Sequence, residues 1–188
     1  MAKGPKEEIV KKLMRGSIIL VLFIFLTAGQ ILPQTSKAPD PWARLNFLIG
    51  EWVGVGTGTP GEAVGGTTFA TELDKKILVR KNWAKYPPKQ GEKAGLSHED
   101  LLIIYPSPGK SSYRAIYFDS EDHVINYLIS FPETPDSAVF ETDPAQEGPR
   151  FRMTYALAPD RTLKNVFWIA TSGEGFRVYV QGTLKKKS

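Results

Sequence analysis

The chain has 188 residues, enough for one domain with a sizeable core, and its 41% apolar content is that of a globular protein. Its formal charge of +4 does not mark a nucleic-acid binder: five of the 24 basic and two of the 20 acidic residues fall in the first 29, leaving 19 against 18 in the remainder. With no cysteine, the chain has no disulfide, thiolate metal ligand, thiol nucleophile or lipid-acceptor thiol.

In chain order, Lys3, Lys6, Lys11, Lys12 and Arg15 precede an apolar run from Ile18 to Leu26 and the small residues Thr27, Ala28 and Gly29. This is the three-part layout of an export signal, so residues 1–29 are expected to act as a signal peptide or signal anchor. The run is shorter than the roughly 20 apolar residues a spanning helix needs, which favours cleavage after Gly29 over anchoring. Either outcome puts the body outside the cytoplasm, periplasmic or secreted, with the leader as the one expected membrane contact. Residues 30–40 read as a linker, polar from Gln34 onward, and the domain is expected over residues 41–188. Asp40 and Pro41 supply an N-cap and a first-turn proline for a short helix, with Trp42, Leu45, Leu48 and Ile49 at helical spacing.

After Gly50 no long helical period returns. Short apolar–polar alternations predict strands at Glu51 to Gly58, Gly66 to Leu73, Ile77 to Lys85, Ser97 to Tyr105, Tyr113 to Asp119, Val124 to Phe131, Ala138 to Thr142, Arg150 to Ala158, Leu163 to Thr171 and Phe176 to Leu184. Turn formers such as Asp74-Lys75, Ser120-Glu121-Asp122 and Pro159-Asp160 separate them at hairpin distances. About ten sequential antiparallel strands predict an all-β, up-and-down barrel, the arrangement that removes exposed sheet edges. The longest connection, Tyr86 to Leu96, is a candidate portal flap.

The first strand opens Gly50-Glu51-Trp52 and continues Val53-Gly54-Val55-Gly56-Thr57-Gly58. Glycine at every second position suits a strand that bends or is closely approached. A dinucleotide fingerprint is excluded there, because no helix follows to receive a pyrophosphate. The Gly50-x-Trp52 pair resembles the start of the calycin superfamily, which comprises the lipocalins, fatty-acid-binding proteins and nitrobindins. In that superfamily the indole plugs the closed barrel end and a late cation stacks on it. Here the resemblance implies Trp52 as plug and Arg177 as its cation. The blocks Leu45 to Trp52, Tyr117 to Ile125 and Arg150 to Tyr155 are similar to lipocalin-like bacterial barrels of the DUF1579 and nitrobindin-like kind, from about Pro41 to the C-terminus.

Tyr117, Tyr127, Arg152 and Tyr155 stand on neighbouring predicted strands, where an inward cluster would grip a ligand carboxylate or hydroxyl. Alternation alone does not say which face is inside, so an outward Arg152 stays open. His98 and Asp100 share a strand face and His98 and Glu99 do not, so His98 is the histidine placed for a barrel mouth. Nitrobindin-like relatives bind haem through a histidine near the C-terminus, whereas no histidine follows His123 here. No serine lies in a nucleophile elbow, and the sequence favours binding over catalysis. The expectation is an exported barrel holding a small hydrophobic or amphipathic molecule, with no resident cofactor or metal. Alternatives are a haem or nitric-oxide site, and a filled barrel acting through its outer surface as an envelope interaction module.

Overall fold

Period-two patterning becomes ten strands: β1 (Gly50–Thr59), β2 (Val64–Glu72), β3 (Ile77–Lys85), β4 (Ser97–Pro106), β5 (Tyr113–Asp119), β6 (Val124–Ser130), β7 (Ser137–Thr142), β8 (Arg150–Leu157), β9 (Leu163–Ala170) and β10 (Arg177–Lys186). The computed structural model describes residues 40–59, 63–88, 90–91, 93–107, 112–171 and 173–188. The expected leader at 1–29 and all of the 30–40 linker except Asp40 lie outside them. Each strand pairs antiparallel with the next and β10 returns to β1, closing the barrel. Every predicted strand is present, with ends within two residues of expectation; β10 begins one residue later and runs on to Lys186.

The expected helix from Trp42 to Ile49 is instead a run of turns and a single 3-10 turn, Asn46–Leu48. Trp42, Leu45 and Leu48 are all buried at a spacing of three, which matches the three-residue repeat of 3-10 geometry. The Leu45 N–H donates to the Trp42 carbonyl at 2.7 Å, and the Leu48 N–H to the Leu45 carbonyl at 3.0 Å. Asp40 starts the segment by accepting the Trp42 N–H at 3.0 Å and the Asn46 side-chain amide at 2.6 Å.

This segment seals one end of the barrel. The Trp42 indole N–H donates to the Lys75 carbonyl at 2.9 Å in the β2–β3 turn, and its ring lies 5.7 Å from that of Tyr113. Trp52, 2% exposed, donates its indole N–H to the Leu48 carbonyl at 2.7 Å. Gly50 has φ +132°, a conformation that favours glycine, and a Cβ there would lie 2.6 Å from Lys186 Cε and push the lysine off its place. Lys186 Nζ donates to the Ile49 carbonyl at 2.8 Å and stands 5.4 Å from the Trp52 ring centroid. The cation over the indole is therefore Lys186 rather than Arg177. Antiparallel register explains the difference: Trp52 pairs with Lys186, whereas Arg177 begins β10 opposite Ile169 and is exposed.

Cross-strand partners share a face, so register defines the interior. On β3 to β7 the inward residues Leu78, Arg80, Leu102, Ile104, Tyr117, Tyr127 and Phe140 are buried. Across the barrel, Phe151, Phe167, Ile169 and Val180 share the face of buried Met153, yet each is partly exposed.

Candidate functional site

At the heart of the buried wall stands Arg80, 3% exposed. It pairs across the sheet with Phe69 on β2 and Leu102 on β4, both fully inside, so the parity of β3 drives the guanidinium inward. Its Nη2 donates to Asp100 Oδ1, and its Nη1 donates to the Tyr155 hydroxyl and to Met153 Sδ, the latter at 3.0 Å. Nε is buried with no partner among the described residues.

Asp100 links this core group to the barrel mouth. Its Oδ2 accepts the Asn82 amide at 2.8 Å and lies 3.2 Å from His98 Nε2. Burial alone would push the Asp100 carboxyl up, but Arg80, His98 and Asn82 together hold it below the ordinary carboxylate range. Burial lowers Arg80, but the charge and hydrogen bond of Asp100, together with Tyr155 and Tyr117, more than restore it, so the guanidinium stays charged. Removing either partner of a buried pair of this kind would leave an uncompensated charge in the interior, so Arg80 and Asp100 hold each other in place.

The mouth is built by the β5–β6 turn. Asp122 adopts φ 68°, and Asp119 Oδ1 accepts the backbone N–H groups of Glu121 and His123, each at 2.9 Å. Asp119 Oδ2 lies 2.9 Å from His123 Nδ1 and accepts the Tyr117 hydroxyl at 3.3 Å. Backbone and His123 hydrogen bonds outweigh the opposing effect of burial and hold Asp119 low. The turn also carries Glu121, whose Oε1 is 2.9 Å from His98 Nδ1. Both ring nitrogens of His98 thus face carboxylates. The hydrogen bond with Asp100 is the main cause that raises this imidazole to about 9, with burial opposing and Glu121 adding.

Behind these groups an aromatic series runs edge to face, Tyr117 to Tyr127, Tyr127 to Phe140, and Phe140 to Tyr155, at centroid distances of 6.4, 6.3 and 6.0 Å. Burial is the main cause that pushes all three phenols up, so they are neutral hydrogen-bonding groups at physiological pH. The Tyr127 hydroxyl, on a residue 1% exposed, has no partner among the described residues.

The opposite wall is apolar. Phe151 and Phe167 stack at 5.8 Å with an interplanar angle of 20°, and Tyr179 lies edge-on to Phe167 at 6.4 Å. Tyr179 occupies the β10 irregularity between Val178 and Val180, which lets it lean toward Phe167 while staying 59% exposed. The Tyr86 phenol, at the start of the expected flap, is pushed up by burial first and then by nearby Tyr179 and Glu121. The flap base is tied by the Tyr86 N–H donating to the Leu96 carbonyl at 2.8 Å.

Of the residues singled out from the sequence, the structure brings Tyr117, Tyr127 and Tyr155 into the interior and His98 to its mouth. Arg152 is not with them. It pairs with Glu141 and Trp168 on the outer face, donates Nε and Nη2 to Glu141 Oε2 at 3.1 and 3.0 Å, and lies 4.0 Å over the Phe176 ring. Its neighbours Met153 and Tyr155 show the interior parity of β8, which Arg152 does not share with Tyr155. The interior arginine is Arg80, which the sequence reading passed over. The available signal was its parity with Leu78, Asn82 and Ala84, facing His98 and Asp100 across the β3–β4 hairpin. Compared with known proteins, the chain matches no family model and no curated protein.

Proposed function

We propose that the protein is an exported, non-catalytic carrier that holds one small amphipathic molecule inside the barrel. The supporting observation is that two of the three buried side-chain polar atoms without a partner among the described residues, Arg80 Nε and the Tyr127 hydroxyl, lie in a barrel whose facing wall keeps inward apolar side chains partly exposed. Arg80 Nε offers a donor and Tyr127 a donor and an acceptor, so the fitting head group carries a carbonyl, hydroxyl or carboxylate. An apolar body lies against Phe151, Phe167, Ile169 and Val180. This division, apolar lining with a few convergent polar groups, is that of a small-molecule site. The lipocalin-like resemblance and the leader fit the same reading.

The test is mass spectrometry of an organic extract of the full-length protein, purified from an exporting host, after its absorption spectrum is recorded. A stoichiometric amphipathic molecule is the expected result. A Soret band would replace this reading with a haem site. An empty, colourless protein that fails to bind a fluorescent fatty acid would refute the carrier and move the function to the outer surface.

A further inference from the structure

His98 from β4 and Asp119 and Glu121 from the end of β5 and its following turn converge at the mouth, where one ligand atom from each lies within 4.8 Å of the others. We propose that these three side chains bind a divalent transition-metal ion of the zinc or manganese class.

The donor set is one imidazole and two carboxylates. Borderline ions accept mixed nitrogen and oxygen ligands, whereas magnesium and calcium prefer oxygen throughout. Ligand bonds of about 2.0–2.2 Å require the three donor atoms to draw closer than 4.8 Å. Glu121 is exposed and its carboxylate already stands 2.9 Å from His98 Nδ1, so a small turn of this side chain supplies that adjustment.

The surroundings are those of a supported ligand set. A ligating imidazole is usually oriented by a carboxylate on its far nitrogen. Asp100 occupies that position at 3.2 Å from Nε2, leaving Nδ1 toward Glu121. Asp100 is itself fixed by Arg80 and Asn82, so the imidazole is aimed by the barrel core rather than by the surface. Asp119 is fixed separately by two backbone N–H groups and His123. The Tyr117 hydroxyl, 3.4 Å from His98 Nε2 and 3.3 Å from Asp119 Oδ2, closes the inner side of the triad. The site is separate from the proposed head-group position at Arg80 Nε and does not depend on it.

The experiment is calorimetric titration of untagged full-length protein, stripped with EDTA, with zinc chloride, alongside cobalt(II) titration followed by visible absorption and a magnesium control. One ion per chain is expected, with cobalt ligand-field bands and no comparable magnesium binding. His98→Asn and Glu121→Gln should each weaken zinc binding by at least about tenfold. Glu121→Gln alters an exposed side chain, so circular dichroism should report an intact barrel. Absence of a stoichiometric site, unchanged affinity in either variant, or magnesium binding as tight as zinc would overturn the proposal.

Discussion

The two ends of this barrel solve opposite problems. At the sealed end, Trp42, Leu45, Leu48 and Trp52 are buried, and each indole N–H has a backbone carbonyl. Among the described residues no buried side-chain polar atom at this end lacks a partner, so what it contributes is stability. At the mouth, Asp100, His98, Asp119 and Glu121 share hydrogen bonds, while the wall facing them keeps Phe151, Phe167 and Ile169 partly solvated. Stability is concentrated where the interior is full, and binding capacity where it is not.

The largest effect that would break this contrast is at the plug. Trp52→Ala should cost about 3–5 kcal/mol in chemical denaturation, since it removes a buried aromatic and leaves the Leu48 carbonyl without its donor. A melting temperature unchanged by that substitution would mean the sealed end does not carry the fold. Phe140→Ala should also cost about 3–5 kcal/mol, because Phe140 is fully buried between Tyr127 and Tyr155. Phe167→Ala should cost only about 1 kcal/mol, its ring being already partly in water, while lowering affinity for a fluorescent fatty acid. Equal costs at the two phenylalanines would mean that both walls are equally packed, and the carrier reading would lose its apolar half.

The same contrast explains what the sequence could reveal. All ten strands were legible because alternation and turn residues are local signals, and nine sequential hairpins bring β10 round to pair with β1 and close the barrel. The plug was legible through Gly50 and Trp52, but its cation was not, since Lys186 is 134 residues away in sequence and only register brings it to Trp52. Arg152 and Arg80 show the main gap. Period two tells which residues share a face, and a separate packing event decides which face is inside. Leu78-Val79-Arg80-Lys81 carries apolar residues on both parities, so the inward arginine was hidden among them. The mouth cluster needed the β5–β6 turn conformation, with Asp122 at positive φ, to bring Glu121 against His98.

The smallest effect, and the one confined to the mouth, is the titration of His98 in metal-free protein. Its folded-state imidazole titrates near 9 against an ordinary value of 6.5, chiefly through the Asp100 hydrogen bond. A raised folded value means that the protonated ring stabilises the fold, fully below about pH 6.5, and that this contribution disappears as pH rises toward 9. Stability should therefore fall modestly between those limits, a window below the tyrosine and lysine titrations. Proton NMR of the imidazole, assigned against His123→Gln, should give the midpoint near 9 directly. Glu121→Gln removes one of the two carboxylates, so it should lower the midpoint and flatten the stability slope while leaving the sealed end untouched. A midpoint near 6.5 in the unmodified chain would show that Asp100 and Glu121 do not hold the ring, and the mouth would then lack the preorganisation that sets it apart from an ordinary polar rim.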